Sequence, residues 1–259
     1  MPKFAANLSM LWTELDFLDR FEKAAQAGFS GVEYLFPYAY PAEQLAEKLH
    51  AHGLTQALHN LPPGDWAKGE RGIAVLPDRK GEFQDSVGTA IAYGKVLGTR
   101  TLNVLCGLTP PDIAPEQVHE TLVSNLKFAA TEVKAAGITL VAEAINTRDM
   151  PGFHLTTSRQ AFQLFDEIGA QDIFLQYDIY HMQIMEGDLT PTLRANIDRI
   201  RHIQLADTPG RHEPGTGEIH YPFVFDAIDA TGYDGWIGCE YKPRTTTDAG
   251  LTWFAPFRT

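Results

Sequence analysis

Short apolar runs alternate with longer stretches in which apolar residues recur at helical spacing, and this rhythm continues along the whole chain. Residues 4–10 form the first run, and within 14–27 the residues Phe17, Leu18, Phe21 and Ala24/Ala25 fall on one helical face before Gly28 ends the period. A strand is predicted over 31–36, a helix over 42–52 closed by Gly53, and a third strand over 54–61. The pattern then lapses. Residues 62–81 are rich in Gly, Pro and charge, a long loop of the kind that is usually functional or mobile. Beyond it a helix is predicted over 83–97, followed by strands at 101–106, 139–145, 173–180, 202–206 and 236–241. Helices at 115–136, 158–168, 190–200 and 223–230 separate them, and a short helix at 248–254 follows the last.

Eight strand–helix units with no linker-like break predict one α/β domain over residues 1–259, closed as a (β/α)8 TIM barrel. A doubly wound open sheet is the competing arrangement. It would place a glycine-rich turn after the first strand, and Ala6, Asn7, Leu8 and Ser9 make no such turn.

Composition narrows the function classes. With 21 Lys plus Arg against 33 Asp plus Glu, the formal net charge is −12, the wrong sign for a protein that neutralises phosphates, so no nucleic-acid partner is expected. No run approaches the roughly 18 apolar residues of a membrane span, so no membrane association is expected either. The first residues lack an apolar leader with a small-residue cleavage site. Cys106 and Cys239, the two cysteines, form no CxxC pair, which suits a reducing cytoplasm. No G-x-S-x-G elbow supports serine hydrolase chemistry.

In a barrel the chemistry sits at the C-terminal ends of the strands. Four of the later strands each carry one polar residue there: Glu143, Asp178, Gln204 and Glu240. Strand alternation turns Ile203 and Leu205 toward the helices and His202 and Gln204 inward. It likewise turns Trp236, Gly238, Glu240 and Lys242 inward, along with Gln176 and Asp178. Three carboxylates crowded into one low-dielectric mouth repel each other unless something positive neutralises them. With an amide added, this all-oxygen set suits a divalent metal, Mg2+ first and Mn2+ next, better than Zn2+. The alternative is a scatter of carboxylates paired with Lys242, Arg148 or Arg244. His59 closes the third strand and His181 lies three residues past Asp178. Either could bond substrate hydroxyls or be a satisfied structural side chain. Lys242 on the inward face, and Arg71 and Arg211 in loops, are candidate partners for an anionic substrate, with Arg211 more readily read as a solvated surface charge.

At these residues the sequence resembles the hydroxypyruvate isomerase family of the xylose-isomerase-like TIM-barrel superfamily. The resemblance runs through 4–10, 21–25 and on to Phe36-Pro37-Tyr38, then His59-Asn60-Leu61-Pro62-Pro63-Gly64-Asp65-Trp66 and 69–72. It continues in 176–183, 212–219 and 235–243, and so covers essentially the whole chain. It implies a metal-assisted isomerase that moves a carbonyl along a short hydroxy-oxo-acid. Glu143 and Glu240 would be the acid/base pair, and Glu143, Asp178, Gln204 and Glu240 the metal shell. His59, Arg71, His181 and Lys242 would bind substrate. The expected reaction interconverts hydroxypyruvate and 2-hydroxy-3-oxopropanoate. The sister activity on 2-oxo-tetronate shares most of these motifs, and a non-catalytic barrel that binds a sugar acid is the reading from another class. Related ketose 3-epimerases usually carry a histidine where Gln204 stands, which argues against a ketohexose substrate and against a softer metal. A metal-dependent nuclease on the same scaffold is disfavoured by the net charge and by too few strand-end histidines. Barrels of this kind often associate through their helices, so a homo-oligomer stays open.

Overall fold

The computed structural model describes residues 2–169 and 172–258. Eight parallel strands close on themselves in chain order, the last pairing with the first. They are β1 Lys3–Asn7, β2 Gly31–Glu33, β3 Thr55–Asn60, β4 Thr101–Val104, β5 Thr139–Glu143, β6 Ile173–Asp178, β7 Ile200–Leu205 and β8 Trp236–Cys239. The helices are α1 Arg20–Gln26, α2 Ala42–Ala51, α3 Lys80–Leu97, α4 Pro115–Ala135, α5 Ser158–Ile168, α6 Ile179–Met185, α7 Leu189–Asn196, α8 Tyr221–Asp229 and α9 Thr247–Gly250. No described helix is long and apolar enough to cross a membrane.

The helices form where apolar residues repeat at three and four and bury one stripe. In α5 the buried set is Ser158, Ala161, Leu164, Phe165 and Ile168. Thr157 caps its start by accepting from the Gln160 N–H at 3.2 Å. The strands are buried on both faces, because the helices cover one side and the barrel interior fills the other. The closing seam is aromatic: the Phe4 ring lies 5.1 Å from Phe225, 5.2 Å from Trp253 and 5.0 Å from Phe257.

Several predicted strands are too long. The first ends at Asn7 and the second at Glu33. The sixth stops at Asp178 instead of 180, because Asp178 Oδ1 accepts from the Tyr180 N–H at 2.8 Å and caps α6. Apolar continuity hid that helix, since Ile179, Tyr180 and Met182 are buried like strand residues. The 62–81 loop is found as expected, with short 3-10 turns at Trp66–Lys68 and Pro77–Arg79 before α3 begins at Lys80.

Candidate active site

The last residues of β5 and β6 put Glu143 and Asp178 at the barrel mouth, and Glu240 follows directly on β8. All three are buried. The turn from Asp178 into α6 swings His181 over them, its Nε2 3.7 Å from Glu143 Oε1 and 3.5 Å from Asp178 Oδ2. Glu143 Oε1 and Asp178 Oδ2 are buried with no hydrogen-bond partner among the described residues. Ligand atoms of Glu143, Asp178 and His181 all lie within 4.8 Å of one another, a cluster consistent with a divalent-metal site. Two buried, unpartnered carboxylate oxygens turned toward one point are what such an ion would satisfy.

Arg211 is a correction to the sequence reading. Its side chain, 16% exposed, reaches into the mouth, with Nη2 2.8 Å from Glu240 Oε2 and 3.6 Å from Asp178 Oδ2, and its guanidinium lies 5.2 Å from the Tyr180 ring. It reaches there from a β7–α8 connection organised by buried Asp207. Asp207 Oδ1 accepts from the N–H groups of Thr208 and Ile219, and Oδ2 from those of Gly215 and Gly217. Arg211 itself adopts the left-handed φ of 57°. Charge alone suggested solvent; the Gly- and Pro-rich stretch around it was the available signal of an organised loop.

Three carboxylates and one guanidinium leave two negative charges, which a divalent cation matches. Without one, burial sets the protonation states. It is the first cause holding Glu143 well above the usual carboxylate range, with the Glu240 and Asp178 charges adding to it. Burial likewise pushes Glu240 up to about 8 and Asp178 to about 6, in both cases against the lowering influence of Arg211. Burial also holds His181 well below the ordinary imidazole range, so it is neutral. Its tautomer follows from its neighbours. Nδ1 faces the Asn146 side-chain Nδ2 at 2.7 Å, and Asn146 Oδ1 is already taken by the Arg148 and Asp149 N–H groups. Asn146 therefore donates to Nδ1, and Nε2 carries the proton toward the carboxylates.

Three other expectations fare differently. His59 is not brought to the mouth. Asn60 turns into the barrel to accept from Asn103 at 3.1 Å, so its neighbour His59 faces the helix layer, with Nε2 3.3 Å from the Ala90 carbonyl in α3. Lys242 is also displaced: the chain leaves the strand at Cys239, alternation lapses, and the lysine side chain is exposed. Its backbone N–H instead donates to the Arg211 carbonyl at 2.7 Å. Arg71 lies on the loop after β3, its guanidinium 4.0 Å over the Trp66 ring.

Gln204 points inward as expected, but not alone. Its Nε2 donates to Glu33 Oε1 at 2.8 Å, and its Oε1 accepts from Gln176 Nε2 at 2.7 Å, leaving one lone pair. Sequence reasoning missed Glu33 and Asn103 altogether. Both are fully buried, and Asn103 Nδ2 stands 3.4 Å from Glu143 Oε2.

Comparison with known proteins follows the same lines. The family model described as xylose isomerase-like TIM barrel matches residues 21–257. Hydroxypyruvate isomerase of Escherichia coli K12 is 55% identical over 258 residues, covering 100% of both chains. A 2-oxo-tetronate isomerase of Cupriavidus necator is 49% identical over 257 residues, covering 99% of each. Among solved structures, one described as AP endonuclease, family 2, from Brucella melitensis superposes with a TM-score of 0.98 at 45% identity, covering 100% of both chains.

Proposed function

The chain belongs to the xylose-isomerase-like TIM-barrel family, close to hydroxypyruvate isomerase, and from that premise we propose that it interconverts hydroxypyruvate and 2-hydroxy-3-oxopropanoate (tartronate semialdehyde). One observation carries the reading: Glu143, at the end of β5, belongs to a cluster consistent with a divalent metal, Glu240, just past β8, is buried close enough for its charge to act on Glu143, and burial raises both above the ordinary carboxylate range. A carboxylate in that range is a better base for a carbon acid than one in water, and its protonated form can return the proton.

Glu143, Asp178, Glu240 and the Gln204 carbonyl would hold the ion, Mg2+ by preference for oxygen ligands. When bound, it supplies Lewis-acid stabilisation of the oxygen that gains charge as the C3 proton leaves. The rest falls to the protein. One glutamate removes the C3 proton, giving an enediolate, and the same or the other glutamate delivers a proton to C2. The proton on the C3 hydroxyl must reach the former carbonyl oxygen, and His181 stands ready with its Nε2–H to bond these oxygens. Asn146 fixes that tautomer, which suits His181 to donating a proton better than to ligating metal. Arg211 compensates the carboxylates and holds Glu240 in place through the 2.8 Å contact. Arg71, on its loop at the strand-end side of the barrel, is proposed to meet the substrate carboxylate.

The four-carbon acid 2-oxo-tetronate is the second reading, supported by the 49% identical relative. Proton NMR of the metal-loaded protein in deuterated water tests both. Faster conversion of hydroxypyruvate, with deuterium at the new C2–H, is the expected result. Faster conversion of 2-oxo-tetronate would transfer the assignment to it. No turnover of either with metal bound would remove both and favour a non-catalytic sugar-acid binder.

A further inference from the structure

A buried acid that proton transfer does not use lies within the barrel below the mouth. Glu33 is fully buried, and three side-chain donors converge on it. Asn7 Nδ2 at 2.9 Å and Gln204 Nε2 at 2.8 Å reach Oε1, and His202 Nε2 at 2.6 Å reaches Oε2. Space for the carboxylate comes from Gly238 on β8, where a Cβ would stand 2.3 Å from both Glu33 oxygens. A primary amide such as Gln204 has two orientations that differ only in exchanging oxygen and nitrogen. The choice is made by its neighbours. Against a carboxylate that accepts and does not donate, the NH2 end must face Glu33, which turns the carbonyl the other way. That carbonyl meets Gln176 Nε2 at 2.7 Å, so Gln176 is oriented in turn, and Gln176 also stands beside Glu143, whose ionised form it favours.

We infer that Glu33 is a positioning residue that fixes the amide orientations of Gln204 and Gln176, so that Gln204 presents oxygen rather than nitrogen to a divalent cation held by Glu143, Asp178 and Glu240. This rests on the reading of the mouth as a metal centre. Glu33 does not touch the ion or the substrate. It acts because a carboxylate, unlike an amide or a hydroxyl, cannot satisfy the inverted arrangement. Once the first amide is oriented, the order passes from β2 through β7 and β6 to the proton-transfer glutamate on β5.

The test is Mn2+ binding by isothermal titration calorimetry on the full chain, wild type against Glu33→Gln. The substituted amide has nearly the same shape but can donate, so the relay can invert. Mn2+ affinity is expected to fall by about tenfold to a hundredfold, the usual range for a residue that orients a ligand. Ile203→Val serves as the stability control, because it loosens the outward face of β7 without touching the relay, and it is expected to keep wild-type affinity. Wild-type affinity in Glu33→Gln, or an equal loss in Ile203→Val, would overturn the inference. Should the wild type itself bind no Mn2+, the metal centre fails first and the positioning role with it. If Glu33→Gln does not fold, the side-chain amide resonance of Gln204 in the 15N-labelled wild type decides. A shift as Mg2+ saturates the site supports the inference, and an unmoved resonance while the site fills refutes it.

Discussion

At the level of single residues, the same side-chain type serves opposite ends according to which way its strand turns it. His181 and His59 are both buried and neutral, yet one faces two acids, Glu143 and Asp178, and the other a helix. Burial lowers His59 to about 4, against about 6.5 for imidazole in an unfolded chain. The sign follows: the unfolded chain binds the proton first, so stability present above pH 6.5 is lost as the pH falls toward 4. Between pH 7 and pH 5 this single group is expected to cost about 2 kcal/mol. Urea unfolding at both pH values, wild type against His59→Leu, should show that difference shrink in the variant, and an unchanged difference would mean the ring is not the source. At the mouth, Glu143→Gln is expected to lower kcat by at least about a hundredfold, as removal of a proton-transfer group does, with the far-ultraviolet circular dichroism unchanged. A variant that keeps more than a tenth of the rate would shift the burden of proton transfer to Glu240.

Elements rather than residues explain what the sequence could and could not disclose. Alternation was enough to turn His202 and Gln204 inward, and both meet Glu33. Glu143 and Asp178 were legible because a lone acid at the end of an apolar strand has few structural excuses. The same logic failed one residue beyond the strands. Lys242 lies past the last pair of β8, and the alternation that pointed it inward no longer applies there. Glu33 escaped notice because a strand of three residues, Gly31–Glu33, is too short to display a period, and its burial depends on Gly238 more than two hundred positions away. Arg211 was hidden for another reason: a loop's shape is set by its hydrogen bonds and not by periodicity. Those bonds make the β7–α8 connection testable as a unit. In Asp207→Asn one of the two oxygens that each accept two backbone N–H groups becomes an NH2, leaving Gly215 and Gly217 or Thr208 and Ile219 unpaired. Stability is expected to fall by about 2–4 kcal/mol. As Arg211 loses its frame, kcat/KM is expected to fall by about tenfold to a hundredfold. Loss of stability with kcat/KM intact would show that Arg211 finds its place without Asp207.

For the molecule as a whole, closure leaves the sheet without an edge, so every strand is flanked by two others. The last pairing made along the chain is that of β8 with β1, from Lys3 opposite Trp236 to Ala6 opposite Cys239, and the Phe4 ring sits between α8 and the C-terminal aromatics. Truncating that ring in Phe4→Ala is expected to cost about 3–5 kcal/mol. Amide hydrogen exchange in β1 should accelerate more than in β5, and uniform acceleration would place the weak point elsewhere. The seam also bears on synthesis. As the polypeptide leaves the ribosome, β1 can pair with β2 at once, but its other side stays bare until nearly everything else has been made. For that interval the nascent chain carries the open edge that the finished ring lacks, and contact with chaperones or with neighbouring nascent chains should concentrate there.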